Sequence, residues 1–139
     1  DHRVLGKPES SAQATAMLNA LSGRNHEVIT GVAVIDPSGD TQTISVKTSV
    51  TMRGLSNGEI AKYVASGSPY DKAGGYGIQD RSFAPVASYG DCYLNVVGLP
   101  MCATLELLQG SGLLRSDMFS TSICDGHKGL QESEIVVGE

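Results

Sequence analysis

Three short stretches of this 139-residue chain hold residue types that could grip a small anionic ligand. Gly6-Lys7-Pro8 sets a lysine between two backbone-shaping residues just ahead of a helical pattern. The run DKAGGYGIQ, Asp71 to Gln79, has three glycines among nine positions beside two adjacent charges. The third, NVVGLP, runs from Asn95 to Pro100. Lys72 supplies a compact positive charge suited to phosphate oxygens. Gly74, Gly75 and Gly77 let backbone N–H groups come close to a ligand, and Tyr76 offers a ring that can pack against another ring or a sugar. Gln79 carries one acceptor and two donors. Each stretch also has a plain structural reading. Gly-Lys-Pro is also what a surface turn with a solvated lysine looks like, a glycine-dense loop can be a tight connection, and NVVGLP reads first as packing at an element boundary. Asp71 is open between a metal or water ligand and a salt-bridge partner that holds Lys72. His26, in NHEVITGV, reads as a hydrogen-bonded residue at a strand edge rather than a catalyst.

Composition narrows what those residues can serve. A formal net charge of -5 leaves no basic surface for a phosphate polymer, which argues against DNA or RNA binding. Cys92, Cys102 and Cys124 are odd in number and lack a CxxC spacing, so neither a disulfide framework nor a zinc cluster is expected, and a reducing, cytoplasmic setting is. No apolar run approaches the roughly 20 residues of a membrane span. The opening DHRVLGKPES has no signal-peptide layout and does not begin with Met, the pattern expected of a fragment or a processed chain.

The elements that must position these stretches are legible as periods. Ala14, Met17, Leu18 and Leu21 fall on one helical face between Ser10 and Gly23, with Ser10 and Gln13 spaced as a capping box. Val28 to Ile35 is a β-branched run, Asp36 to Asp40 is a turn, and Ile44 to Met52 alternates as a second strand of a hairpin. Ser56 and Glu59 form a second capping box for a helix to Gly67, with Leu55 and Ile60 as a hydrophobic staple. Short strands are expected around Phe83 to Tyr89, with Pro85 at an edge, and again over Tyr93 to Val97. Pro100 then opens a closing helix with Met101, Leu105 and Leu108 inward. Residues 1–114 read as one domain and 115–139 as a loosely ordered tail. The fold class is mixed α/β, a β-sheet flanked by helices.

Taken in order, Gly-Lys-Pro, SGRNHEVITGVAV (Ser22 to Val34), SNGEIAKYVASGSP (Ser56 to Pro69), DKAGGYGIQ and NVVGLP resemble the Maf family of nucleotide pyrophosphatases, over Gly6 to about Gly112. The resemblance implies the Maf and ITPase-like fold without its N-terminal third. It also implies hydrolysis of nucleoside triphosphates to the monophosphate and pyrophosphate, and YGIQ resembles the branch that prefers dTTP and UTP. Lys7 and Lys72 are then the expected catalytic phosphate contacts. Asp71, Gly75, Tyr76, Gly77 and Gln79 are the expected substrate-binding residues, with Gln79 reading the edge of a pyrimidine.

A divalent cation, Mg²⁺ or Mn²⁺, and a homodimer are implied by the same likeness, and no metal ligand is assigned within this chain. The S-x-S-P-R-R loop, the acidic metal residue and the S/A-D-T strand usual in the family do not occur here. Asp1 stands too near Lys7 to replace the last of these. Ser68 replaces a common Glu, and RSFAPVASYGDCYLN is rearranged. The chain by itself is therefore expected to lack the catalytic carboxylates, and the alternative is a catalytically incomplete Maf-derived module that binds nucleotide or dimerises.

Overall fold

β-Branched residues on one side of a short polar turn and alternating residues on the other satisfy the pleat of a hairpin. In a computed structural model of the protein, which describes residues 3–115 and the backbone of 135–138, they form β1 (Asn25–Ile35) and β2 (Thr41–Met52). The turn is organised by the Asp36 carboxylate, which accepts from the Ser38 and Asp40 amides at 2.8 and 3.0 Å. β1 starts earlier than its apolar run. The Asn25 side chain donates to the Thr51 hydroxyl at 3.0 Å, and the Met52 amide reaches the Arg24 carbonyl at 2.9 Å. β3 (Val86–Tyr89) follows β2 in an antiparallel sheet ordered β1-β2-β3. β4 (Ile135–Gly138) pairs antiparallel with the start of β2, Thr41 facing Gly138 and Ile44 facing Ile135. The tail expected over 115–139 falls mostly on residues 116–134 and 139, which lie outside the described residues, as do His2, Cys124 and His127.

Two compact units divide the chain, one of Asp1–His26 with Val50–Ser88 and one of Glu27–Ser49 with Tyr89–Glu139. The first contains α1 (Ser11–Leu21) and α2 (Asn57–Ala65), which pack on each other. The buried faces are the ones the period selects: Ala14, Met17, Leu18 and Leu21 on α1, and Ile60, Tyr63 and Val64 on α2. Ser10 caps α1 through the Gln13 amide, but the Gln13 side chain returns to the Glu9 amide at 2.6 Å, so the box is shifted by one residue. On α2 the box is complete. Ser56 accepts from the Glu59 amide, and Glu59 accepts from the Ser56 amide at 2.9 Å. Glu59 also takes the Arg53 guanidinium at 2.8 Å. Arg53 spends its remaining donors on the carbonyls of Phe83, Ala84 and Gly54, at 2.9, 2.9 and 3.1 Å. Ala84 is held there at a left-handed φ of 42°, and Phe83 stacks on Tyr63 with ring centroids 3.8 Å apart.

The second unit contains α3 (Tyr93–Val97) and α4 (Met101–Gly110). Its core joins Val34, Ile44, Val46, Cys92, Ala103 and Leu107. The strand expected over Tyr93 to Val97 is instead the short helix α3, ended by Gly98 at φ 137°. Fully buried Asn95 explains the override: its amide donates to the carbonyls of Val28 and Val46, both at 3.1 Å, and to the Thr48 hydroxyl at 2.9 Å. A strand would not bring one side chain to those three acceptors, and buried polar groups left unpaired are costly. On α4 the buried residues are Cys102, Ala103, Leu105 and Leu107; Leu108, expected inward, packs half-buried against the core, and Met101 is half-buried. Pro100 stands just outside the helix as its N-cap rather than at its first position.

Two outcomes follow from these contacts. Asn95→Ala should lower unfolding stability by about 2–3 kcal/mol in a denaturant titration, because buried acceptors lose their donor. Glu59 has its pKa lowered from 4.5 to about 2 by the Ser56 hydroxyl and amide and by Arg53. A depressed carboxyl contributes stability that is present above 4.5 and lost as pH falls toward 2. Thermal melts of Glu59→Gln should therefore show a weaker loss of stability across that window than the parent chain.

Candidate functional site

Lys7, Asp71, Lys72, Gly75, Tyr76, Gly77 and Gln79 all lie in the first unit, while the NVVGLP stretch belongs to the second. The helix cap of α2 gives way at Gly67, φ 80°, to a single 3-10 turn, Ser68–Asp71, and a second turn follows at Ala73–Gly75. Gly74 and Gly75 both take left-handed φ, 73° and 74°, which a side chain would strain. Their bonds join the two lysine segments. The Gly74 amide donates to the Gly6 carbonyl at 3.0 Å, and the Gly75 amide donates to the Lys72 carbonyl at 3.0 Å. A Cβ on Gly75 would lie 3.6 Å from the ring of Pro8, so Gly-Lys-Pro rests against the glycine turn.

Lys7 is exposed, and Lys72 is half-buried. The Lys72 ammonium donates to the Ser68 carbonyl at 2.9 Å and pairs with the Asp71 carboxylate. That hydrogen bond, with added attraction from both lysines, holds the Asp71 pKa below its ordinary value. Because Lys72 uses the backbone oxygen of residue 68, the replacement of a common Glu by Ser there leaves this contact intact. Asp71 is largely exposed, so solvent screens the pair and it is readily exchanged for another anion. Gly77 makes room for the lysine: a Cβ there would meet the Lys72 stem at 3.0 and 3.2 Å. Ile78 and exposed Gln79 form the centre of a turn closed by the Asp80 amide on the Gly77 carbonyl at 3.2 Å. The Asp80 carboxylate accepts from the Ser82 hydroxyl and the Phe83 amide, and these bonds lower its pKa.

Tyr76, expected to offer its ring to a ligand, is instead only 7% exposed. Its hydroxyl shares a 2.7 Å hydrogen bond with His26 Nε2, the two rings meeting edge to face at 5.5 Å. Burial lowers the His26 pKa. Protonation would also place an N–H at Nδ1, which is buried and has no hydrogen-bond partner among the described residues, so the neutral ring is favoured. Sequence reasoning saw His26 as a strand-edge residue and missed its partner fifty positions away. It missed Arg53 altogether, which stands between a strand and a glycine with no periodic signal.

This arrangement of two lysines, three glycines and a turn-borne glutamine can be set beside known proteins. Residues 2–111 match the family of Maf-like proteins. The chain belongs to the Maf family. Its similar relatives include a dTTP/UTP pyrophosphatase from Moorella thermoacetica, 52% identical over 107 residues, covering 76% of this chain and 55% of that protein. Another, from Dehalococcoides mccartyi, is 44% identical over 110 residues, 78% of this chain and 49% of that protein. A third, from Symbiobacterium thermophilum, is 47% identical over 113 residues, 81% and 57% respectively. Thus the Maf chain described here spans about half the length of the curated relatives it matches.

Among the described residues no three His, Cys, Asp or Glu side chains are grouped to hold a metal ion, and Asp71 is engaged by Lys72. No helix among the described residues is long and apolar enough to cross a membrane.

Gly77→Ala tests whether the glycine exists for the lysine. The obstructing atoms belong to a flexible stem, so stability should change by less than about 1 kcal/mol. Nuclear magnetic resonance of the lysine ammonium groups should nevertheless show Lys72 displaced from Ser68. An unchanged Lys72 environment would assign Gly77 to backbone freedom alone.

Proposed function

We propose that this chain carries the nucleotide-binding portion of a nucleoside triphosphate pyrophosphatase that hydrolyses dTTP and UTP to the monophosphate and pyrophosphate. The observation that carries the reading is the Gly74 to Gly6 hydrogen bond, which sets the Lys7 segment beside the Lys72 to Gln79 loop. The names of the relatives support the same chemistry. In this reading residues 1–114 are the Maf-like portion of the molecule.

The reaction is attack of water on the α-phosphorus, with the bond to the bridging oxygen breaking and pyrophosphate leaving. Lys72 exchanges Asp71 for a phosphate oxygen, a cheap exchange because that ion pair is exposed, and Lys7 meets the phosphates from the neighbouring strand of chain. Both lysines oppose negative charge as it shifts to the leaving group. The Gly75 amide stays on the Lys72 carbonyl and shapes the turn, Gly77 leaves room for the Lys72 stem, and Gln79 presents donors and an acceptor to the pyrimidine edge. Tyr76 serves from beneath, as the buried support of the loop. A divalent cation, Mg²⁺ or Mn²⁺, and the carboxylate that takes the proton from water belong, in this reading, to the share of the relatives' length that the chain does not span. A homodimer in the cytoplasm, with no nucleic-acid polymer and no membrane as partner, completes the proposal; the net charge of -5 is consistent with it.

The test is pyrophosphate release from dTTP, UTP, CTP and 7-methyl-GTP with Mg²⁺ or Mn²⁺. The 139-residue chain is compared with a chimaera carrying the N-terminal half of the Moorella relative. The chimaera should cleave dTTP and UTP, the chain alone should be nearly inactive, and Lys72→Ala or Gln79→Ala should reduce kcat/KM of the chimaera by about 100-fold or more. Binding or dimerisation without turnover in either protein would favour a catalytically incomplete module.

A further inference from the structure

The buried pair formed by His26 and Tyr76 is absorbed by neither the phosphate contacts nor the base contact. Tyr76 sits at the centre of the loop sequence, two residues after Gly74 and three before Gln79. Its ring packs beneath Gly74: a Cβ on that glycine would lie 3.7 Å from Tyr76 and 3.5 Å from Leu21 of α1. Gly74 in turn donates to Gly6, and Gly77, the next residue after Tyr76, borders the Lys72 stem. The backbone bonds of Gly74 and Gly75 and the close approach of Gly77 to Lys72 therefore all lie within two residues of one phenol. What the loop lacks is regular structure of its own, since both turns are single and Gly74 and Gly75 lie outside the ordinary helical region. A glycine-rich loop without such structure samples many conformations unless a side chain anchors it. The only hydrogen bond found for the Tyr76 hydroxyl among the described residues goes to His26, which stands on β1 and is fixed by the ladder that includes the Arg24 carbonyl and the Met52 amide.

We infer that His26 is a positioning residue, which through the Tyr76 hydroxyl holds the Gly74–Gln79 loop in the shape that presents Lys72 and Gln79 to the nucleotide. The ligand role in this inference rests on the function proposed above; the loop-holding role does not. Edge-to-face contact supports the assignment, because it fixes the direction of the phenol as well as its depth. Burial that keeps the imidazole neutral supports it too, since a neutral ring can hold one hydrogen bond with a second nitrogen left unpaired.

The experiment is amide hydrogen exchange on the 139-residue chain, followed at Gly74 and Gly75, whose N–H groups bond to Gly6 and Lys72, and at Leu18 and Ile60 as core references. His26→Leu and Tyr76→Phe should each speed exchange at Gly74 and Gly75 by about tenfold while leaving Leu18 and Ile60 unchanged. The double variant should be no faster than either single one, because both remove the same bond. His26→Gln, whose amide can reach the same hydroxyl, should restore most of the protection, which a purely space-filling role would not predict. Unchanged exchange at the glycines, or effects that add in the double variant, would overturn the inference. Should His26→Leu fail to fold, Tyr76→Phe carries the test, since it keeps the ring and removes one atom. In parallel, dTTP affinity measured on the chimaera should weaken about five- to tenfold in each single variant. If the chimaera binds no dTTP while the exchange pattern holds, the loop-holding role stands and the nucleotide reading falls. If dTTP binds and His26→Leu leaves its affinity unchanged, the positioning role falls and the nucleotide reading stands.

Discussion

A single backbone hydrogen bond, from the Gly74 amide to the Gly6 carbonyl, decides whether the candidate residues form a site at all. Without it Lys7 is an exposed side chain on an irregular segment, and Lys72 is a lysine paired with its neighbour Asp71. The bond requires that residue 74 turn with positive φ beside Leu21 and Tyr76, a space in which only glycine is unstrained. It also requires that the loop stay where it is, and that depends on the packing around it: Pro8 against Gly75, α1 against the second turn, and the buried phenol of Tyr76 below.

The first unit is held by a small number of polar clamps on an apolar helix pair. Arg53 is the most connected of them, tying the capping box of α2 to the backbone at Phe83 and Ala84. Its charge is met by Glu59 and its donors by carbonyls, so a guanidinium is used here for its fork of donors more than for its charge. Asp80 has the complementary role just ahead of Phe83, accepting from Ser82 and Phe83 and so fixing the exit from Gln79. In the second unit Asn95 acts in the same way with one amide, gathering the carbonyls of two strands onto α3. In both units the apolar core supplies most of the burial while buried polar contacts select the particular arrangement.

Where sequence patterns succeeded and failed follows from that division. α1, α2 and the hairpin were legible because their information is local and repeated: a period of apolar residues, a cap and a turn. Their buried faces agree residue by residue with the periods, as at Ala14, Met17, Leu18 and Leu21. Tyr93 to Val97 misled because its β-branched and aromatic residues favour extended structure, while the deciding interaction of Asn95 reaches back nearly fifty residues and more, to Val46 and Val28.

The sequence by itself determined the family and the mixed α/β class, and it singled out the candidate residues for the proposed site, because residue types and their order along the chain are enough for these. It also determined that Asp71 stands next to Lys72, since adjacency needs no fold. Only the tertiary structure decided that Gly6 meets Gly74, that the Tyr76 ring faces His26 rather than open space, that Gly77 yields room to Lys72, and that Arg53 closes the loop after Gln79. Each of these is a contact between segments distant in the chain or a packing distance of a few ångströms. Such contacts arise from the shape of the folded chain, and no local pattern of residues encodes them.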